Sequence, residues 1–333
     1  MIETSNLLPF LTDKLMNTLV ANCKSICDTA QFVKIDLSAI EQFCSRLWGE
    51  EMKHRFDEAP FNIHSLPAEE KLLFLLLFNS ISFSYRGNPK WTIEYRGQRV
   101  DGAYGMIACI GKAVEQRKLV LEARYLSQIT KADFSSLLAG NVEIPLFEER
   151  FAIIREIATV LIEKFNGDIR NLIKLAEGDV EQLIALLIEH FPSFRDEAVY
   201  RGKNIRFSKR AQLFVADVYQ GFRGQEWGNF HTISEITACA DYKLPFVFRR
   251  LGMLSYRKTL ADQIDQQKVL EKWSEEEIEI RASAIWIVEL MRRFLQQRIP
   301  EVQSFQINDY IRLLGQQKLP TDKPYHRVRT TAY

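Results

Sequence analysis

Several acidic residues of this chain stand among apolar neighbours, where a carboxylate has to be paired, hydrogen-bonded or shifted in its titration. Asp217 lies in Leu213-Phe214-Val215-Ala216-Asp217-Val218-Tyr219. On a helix it shares a face with Phe214, Val218 and Gly221. Lys209 and Arg210, two turns upstream, are candidate partners, and a buried ion pair that fixes helix packing is the simplest reading. Asp241 follows Ile236-Thr237-Ala238-Cys239-Ala240 and precedes Tyr242-Lys243-Leu244-Pro245. Pro245 biases Leu244 away from helix, which places Asp241 at or near the end of an element. There a scaffold presents side chains to a cleft. An acceptor oxygen at that place serves equally well as the cap of the next helix, which contains Val247 and Leu251, or as a catalytic carboxylate.

Glu279 and Glu289 flank Arg281 in a run that includes Ile278, Ile280, Ile285 and Trp286. Charges near the apolar face of a long helix read as salt bridges to neighbouring helices. Asp309-Tyr310 pairs a carboxylate with an aromatic ring. That combination suits a purine-like edge, the acid accepting two N–H bonds while the ring stacks. The alternative is that this C-terminal segment, with its basic and aromatic residues 324–329, packs on the surface. His64, in Phe61-Asn62-Ile63-His64-Ser65-Leu66-Pro67, reads as a loop or cap histidine.

The elements that must position these residues are mostly helices. Ser38-x-x-Glu41, behind Asp36-Leu37, is a capping box before an apolar-periodic run. In 150–165, Phe151, Ile154, Ala158, Leu161 and Phe165 fall on one helical face. Asp179 and Gln182 open a helix through Leu183, Leu187 and His190 that Pro192 stops. Ser208 is placed to cap 209–222, and Ser274 with Glu277 to cap 278–297, with Pro300 just beyond. The apolar run 72–83 is too short to span a bilayer and reads as a buried helix. Trp91-Thr92-Ile93-Glu94-Tyr95 alternates, Arg96-Gly97-Gln98 turns, and 99–104 returns, giving a small β-hairpin near residues 91–104. There is no strand–helix alternation and no glycine-rich phosphate loop. The expectation is a mainly α protein, one compact unit over 1–333 with two lobes divided near residues 137–145.

Composition excludes more than it asserts. Lys and Arg number 44 against 43 Asp and Glu, a formal net charge of +1, without the basic excess that polymer nucleic acid selects. Cys23, Cys27, Cys44, Cys109 and Cys239 form no CxxC pair and read as reduced, buried thiols of a cytoplasmic protein. His54, His64, His190, His231 and His326 lack metal-ligand spacing, so no metal is expected. The first sixteen residues carry an early acid and lack the basic and apolar regions of a signal peptide, and no membrane attachment is expected.

Five motifs then carry a resemblance. They are Phe191-Pro192-Ser193-Phe194-Arg195-Asp196; Arg201-Gly202-Lys203-Asn204-Ile205-Arg206-Phe207-Ser208-Lys209-Arg210 continuing to Asp217; and Ile236-Thr237-x-x-Ala240-Asp241-Tyr242-Lys243-Leu244-Pro245. The others are Glu279-Ile280-Arg281-x-x-x-Ile285-Trp286-x-Val288-Glu289 and Tyr325-His326-Arg327-x-Arg329. In this order they resemble the queuosine salvage protein family, from about His64 to the C-terminus, with residues 1–60 matching loosely.

The resemblance implies an N-glycosidase that hydrolyses queuosine 5'-monophosphate, and possible action on queuosine itself, to free queuine for reinsertion into tRNA. It implies a helical body similar to the helix-hairpin-helix DNA glycosylases, a small-molecule substrate and no cofactor. Asp241 matches the catalytic aspartate, as nucleophile or as electrostatic stabiliser of an oxocarbenium-like ribose. Asp309 matches an acid suited to the deazaguanine edge, beside Tyr310, and His64 a histidine near the base. Phe83 and Tyr242 are candidate walls. Lys203, Lys209 or Arg210 would supply a cation for the 5'-phosphate, and Asp217, Glu279 and Arg281 support the pocket. The chain departs from the family pattern at Leu314 and Thr232, where acids are common, and at Cys239, where an aromatic is. A related deazapurine nucleotide or nucleoside, or compensation by Glu235 or another nearby acid, would accommodate these departures. The readings from other classes are a non-catalytic nucleotide- or tRNA-binding helical module and a DNA-repair glycosylase; the near-neutral charge disfavours both polymer-binding readings.

Overall fold

The computed structural model describes residues 17–47, 52, 54 and 56–333. The N-terminal residues 1–16, read above as no signal peptide, lie outside them. The described residues form fourteen α-helices and eight short strands, the latter paired in four two-stranded sheets. The chain is therefore mainly helical. It divides into two compact units. The first takes its described residues from 1–54, 197–207 and 234–329; the second is built from 55–196, 208–233 and 330–333. Residues 137–145, the expected divide, lie wholly inside the second unit.

The first unit is organised by the helix Glu275–Leu295, buried at every position from Glu277 to Met291. Ser274 Oγ accepts the Glu277 N–H at 3.3 Å, and Glu277 reaches back to the Trp273 N–H. The helices Thr18–Thr29, Leu37–Cys44, Lys243–Arg250 and Ser304–Leu314 pack around it. Its core includes Ile40, Phe248, Ile280, Ile287 and Ile307. Antiparallel strands Val33–Ile35 and Leu254–Tyr256 pair in register Val33 to Tyr256. The expected box at Ser38 is corrected. The N-cap is Asp36, whose Oδ1 accepts the Ala39 N–H at 2.9 Å, because the helix starts at Leu37, two residues before a Ser38 cap would start it.

In the second unit the helix Ala68–Ile81 is central and buried from Leu72 onward, close to the run read at 72–83. The helices Gly102–Glu115, Phe147–Phe165, Ile169–Leu175 and Lys209–Gly221 pack on it. Its last carbonyls have no helical partners, and two buried arginines receive them. Arg210 donates to the Ser80 carbonyl, and Arg150 to those of Ile81 and Phe83 and, at 3.3 Å, of Ser84. Two cations at a helix C-terminus also meet its partial negative charge. Ser84 in turn bonds the terminal residues, its N–H donating to the Tyr333 carbonyl at 3.0 Å.

Asp179 caps Val180–His190 as expected, accepting the Gln182 N–H at 2.8 Å. Ser208 does not cap with its side chain: it is left-handed (φ 49°), and Asp196 Oδ2 instead accepts the Lys209 N–H at 3.1 Å. The hairpin is present as Thr92–Tyr95 and Gln98–Asp101; a helix begins at Gly102 and ends the return strand three residues early. A second hairpin, Glu197–Tyr200 with Lys203–Arg206, was missed. Both turn through Tyr-Arg-Gly, with the Arg at φ 48° and 46° and the Gly at 75° and 81°. Positive φ at both central residues matches the right-handed strand twist, and glycine at the second removes most of the strain.

All five cysteines are free, four buried and Cys27 half-buried. Among the described residues no helix is long and apolar enough to cross a membrane, and no cluster of three or more His, Cys, Asp or Glu side chains could hold a metal ion.

Candidate active site

In the first unit the segment leading to Asp241 is buried from Ile236 to Ala240 and is held at three successive residues. The Cys239 N–H donates to Asn308 Oδ1 at 3.0 Å. The Ala240 carbonyl accepts from Arg281 Nε at 3.3 Å. Asp241, two residues before the helix Lys243–Arg250, accepts the Lys243 N–H on Oδ1 at 2.6 Å. Asp241 therefore does act as a local cap. Leu244 is helical despite Pro245, because Pro245 falls in the first turn, where an N–H has no helical acceptor to lose. Asp241 is half-buried. One oxygen thus fixes the carboxylate, and the second makes no such bond among the described residues.

Arg281 is fully buried on the central helix, its guanidinium 4.0 Å from the Phe207 ring centroid. Its bond to the Ala240 carbonyl ties it to the residue before Asp241. Glu279, two residues before it on the same helix and also fully buried, accepts the Gln31 N–H at 2.9 Å, the Phe32 N–H at 2.7 Å and the Tyr200 hydroxyl at 2.9 Å. Burial and this bond to Glu279 push the Tyr200 phenol well above its ordinary value. Glu279 thus fastens the turn after Thr18–Thr29 and the second hairpin to the central helix. Glu289 pairs within its own helix, with Arg292 at 2.8 Å and Arg293 at 2.7 Å, rather than with a neighbouring one.

Beyond Asp241, Tyr242 and Phe246 flank Tyr325, with ring centroids 5.2 Å and 4.4 Å away. Lys243 Nζ donates to the Tyr325 hydroxyl at 3.1 Å and the Gly315 carbonyl at 2.9 Å. Asp309 is buried on Ser304–Leu314; Asn308 Nδ2 donates to its Oδ1 at 3.3 Å, and His54 Nε2 lies 3.7 Å from its Oδ2. Tyr310 is half-buried, 6.4 Å from the Phe43 ring. Lys203 is exposed on the second hairpin. Asn308, Lys243 and His54 were not singled out in the sequence. Asn308 and Lys243 each stand beside a flagged residue, which was the available signal. His54 had none.

The remaining candidates lie in the second unit. Asp217 is fully buried, and Asn79 Nδ2 donates to its Oδ2 at 2.8 Å. Arg210, offered above as its ion-pair partner, donates instead to the Ser80 and Ser193 carbonyls. Burial pulls the Arg210 guanidinium down to about 10, with Asp196 and Glu156 opposing. Lys209 is buried. Phe83 is buried with the Arg150 guanidinium 4.2 Å from its ring centroid and that of Arg210 at 5.3 Å. His64 is half-buried in the short helical turn Ile63–Ser65, its Nε2 4.0 Å from Asp57. Of the three departures, Thr232 Oγ1 accepts the Val180 N–H at 2.9 Å, Leu314 packs against the first unit's core, and Cys239 is buried.

Comparison with known proteins agrees with the motifs. The family model described as queuosine salvage protein matches residues 63–333. A Sphaerobacter thermophilus protein named queuosine 5'-phosphate N-glycosylase/hydrolase is 36% identical over 326 residues, covering 95% of this chain and 97% of its own. Proteins of the same name from Mus musculus and Dictyostelium discoideum are 34% and 28% identical; they cover 67% and 91% of this chain, and 68% and 95% of their own. By the extent of the family match, the chain belongs to the queuosine salvage protein family.

Proposed function

We propose that this protein hydrolyses the N-glycosidic bond of queuosine 5'-monophosphate and releases queuine. The observation that carries the reading is the near full-length similarity to a protein named for that activity. The chemistry of Asp241 supports it. As the bond from C1' to the base nitrogen breaks, its electron pair leaves with the base and positive charge develops on the ribose. A carboxylate oriented by one oxygen stabilises that charge or captures C1'. Water ends as the hydroxyl on C1' and the proton on the base.

We assign recognition of the base edge to Asp309 with Tyr310, and an aromatic wall to Tyr242. His64 and Phe83 stand as further base contacts on the family resemblance. Lys203, Lys209 and Arg210 are the proposed phosphate ligands, although Arg210 already serves two carbonyls. Asp217, Glu279 and Arg281 are assigned to the frame. We take residues 1–333 as one queuosine-salvage-type domain, its helical architecture that of the helix-hairpin-helix DNA glycosylases, working in the cytoplasm on a mononucleotide rather than on polymer nucleic acid.

The test is incubation of the purified protein with queuosine 5'-monophosphate and chromatography for free queuine, with Asp241→Asn in parallel. The variant keeps an oxygen for the Lys243 N–H and is expected to melt like wild type while losing turnover by about 100-fold or more. Absence of base release by wild type from both nucleotide and nucleoside would sink the reading. Undiminished turnover by Asp241→Asn would remove only that residue's assignment.

A further inference from the structure

Asn308 is buried, 3% exposed, and touches both carboxylate-bearing segments on which the proposed reaction depends. Its Oδ1 accepts the Cys239 N–H at 3.0 Å, two residues before Asp241, and its Nδ2 donates to Asp309 Oδ1 at 3.3 Å. The partners set the amide's orientation. A backbone N–H needs an acceptor and a carboxylate needs a donor, so the flipped amide would oppose like groups at both ends. No other side chain of this size offers one acceptor and one donor in a rigid plane: aspartate supplies two acceptors and leucine neither.

We infer that Asn308 is a positioning residue for the glycosidase reaction, its carboxamide setting the Asp241 segment and the Asp309 carboxylate in register with each other. The inference rests on the roles proposed above for those two acids. Through Cys239 it acts on the group at C1'; through Asp309 it acts on the group at the base edge. Among the described residues, the titratable groups seen at this pair are Asp309 itself and His54, 3.7 Å from the far carboxylate oxygen. From the packed helices, Arg281 reaches the Ala240 carbonyl, Lys243 those of Gly315 and the Tyr325 hydroxyl, and Arg250 those of Leu314 and Gln317.

The experiment compares kcat, KM and melting of wild type, Asn308→Asp, Asn308→Ala and Asp241→Asn on queuosine 5'-monophosphate, from about pH 5.5 to 8.5. Asn308→Asp keeps the acceptor for Cys239 and the shape, so it is expected to fold, melting below wild type at neutral pH and approaching it as pH falls. At neutral pH it sets two carboxylates together, and kcat/KM falls about tenfold or more, mostly through KM. Relative to wild type the deficit shrinks as pH falls, because the pair takes up one proton and regains a donor. Asn308→Ala loses both bonds and falls in kcat as well. Wild-type kcat/KM in both folded variants, or a deficit of Asn308→Asp that is the same at every pH, would overturn the inference. Should Asn308→Ala not fold, Asn308→Asp decides. Failure of wild type to release base would instead strike the parent reading.

Discussion

Replacing Glu279 separates a residue that builds the frame from one that acts on substrate. Its carboxylate is fully buried and receives three donors, the Gln31 and Phe32 N–H groups and the Tyr200 hydroxyl, at 2.7–2.9 Å. Bonds to a charged acceptor contribute about 1.5–3 kcal/mol each. Glu279→Gln keeps the shape. Its oxygen can retain both N–H donors while its amide donates to the Tyr200 oxygen, so what is lost is mainly the charge, about 2–3 kcal/mol. Glu279→Ala orphans all three donors; since Gln31 is exposed, water relieves part of that penalty, and about 3–5 kcal/mol is expected. For a cooperative unit of about 150–250 residues each kcal/mol moves the melting temperature about 2–4 °C. The glutamine variant should therefore melt roughly 4–12 °C below wild type and the alanine variant roughly 6–20 °C below. Melting by circular dichroism is paired with base release well below every midpoint. The folded glutamine variant is expected to turn over within about threefold of wild type, since its frame bonds are retained. A variant that melts within a degree or two of wild type yet loses turnover about 100-fold would refute the reasoning and make Glu279 a catalytic residue.

Other consequences are equally measurable. Asp309→Ala should raise KM about tenfold or more while costing only a few degrees of melting temperature; parallel losses of both would contradict its assignment to the base edge. Burial pushes the Cys27, Cys44 and Cys109 thiols up to about 12 and raises Cys23 well above its ordinary value. At neutral pH these four should resist a thiolate-specific reagent until denaturant is added, and rapid labelling of the native protein would refute that. The Arg249 hydrogen bond, reinforced by Lys323 and opposed by burial, holds Asp265 below the ordinary carboxylate range. That stability is present above the unfolded value, about 4, and lost as pH falls through the folded one. Wild type and Asp265→Asn should accordingly differ in melting at pH 6, with the difference narrowing as pH falls below about 4; a difference that widened in acid would reverse the sign.

Legibility followed the range of each interaction. Asp179 was read as a cap because its partner, Gln182, is three residues away. Ser208 is no side-chain cap because the Lys209 N–H is served by Asp196, 13 residues earlier. The Arg210 to Asp217 pair looked sound on helical spacing, yet each residue found partners on the helix Ala68–Ile81, more than a hundred positions earlier. The second hairpin was legible in principle: Tyr200-Arg201-Gly202 repeats the turn at Tyr95-Arg96-Gly97, and only the shorter apolar alternation hid it.

By itself the sequence determined the helical class, the first hairpin, the reduced cysteines and, through ordered motifs, the family. These depend on periodicity, local caps and residue identity, which a linear reading contains. Tertiary structure alone decided that Asp241 caps through one oxygen, that Arg281 bonds the Ala240 carbonyl, and that Asn308 links Asp309 to the Asp241 segment. Each of the last two joins groups 41 and 69 residues apart in the chain. Buried polar atoms must find partners wherever packing brings them, and no spacing rule along the chain announces which those will be.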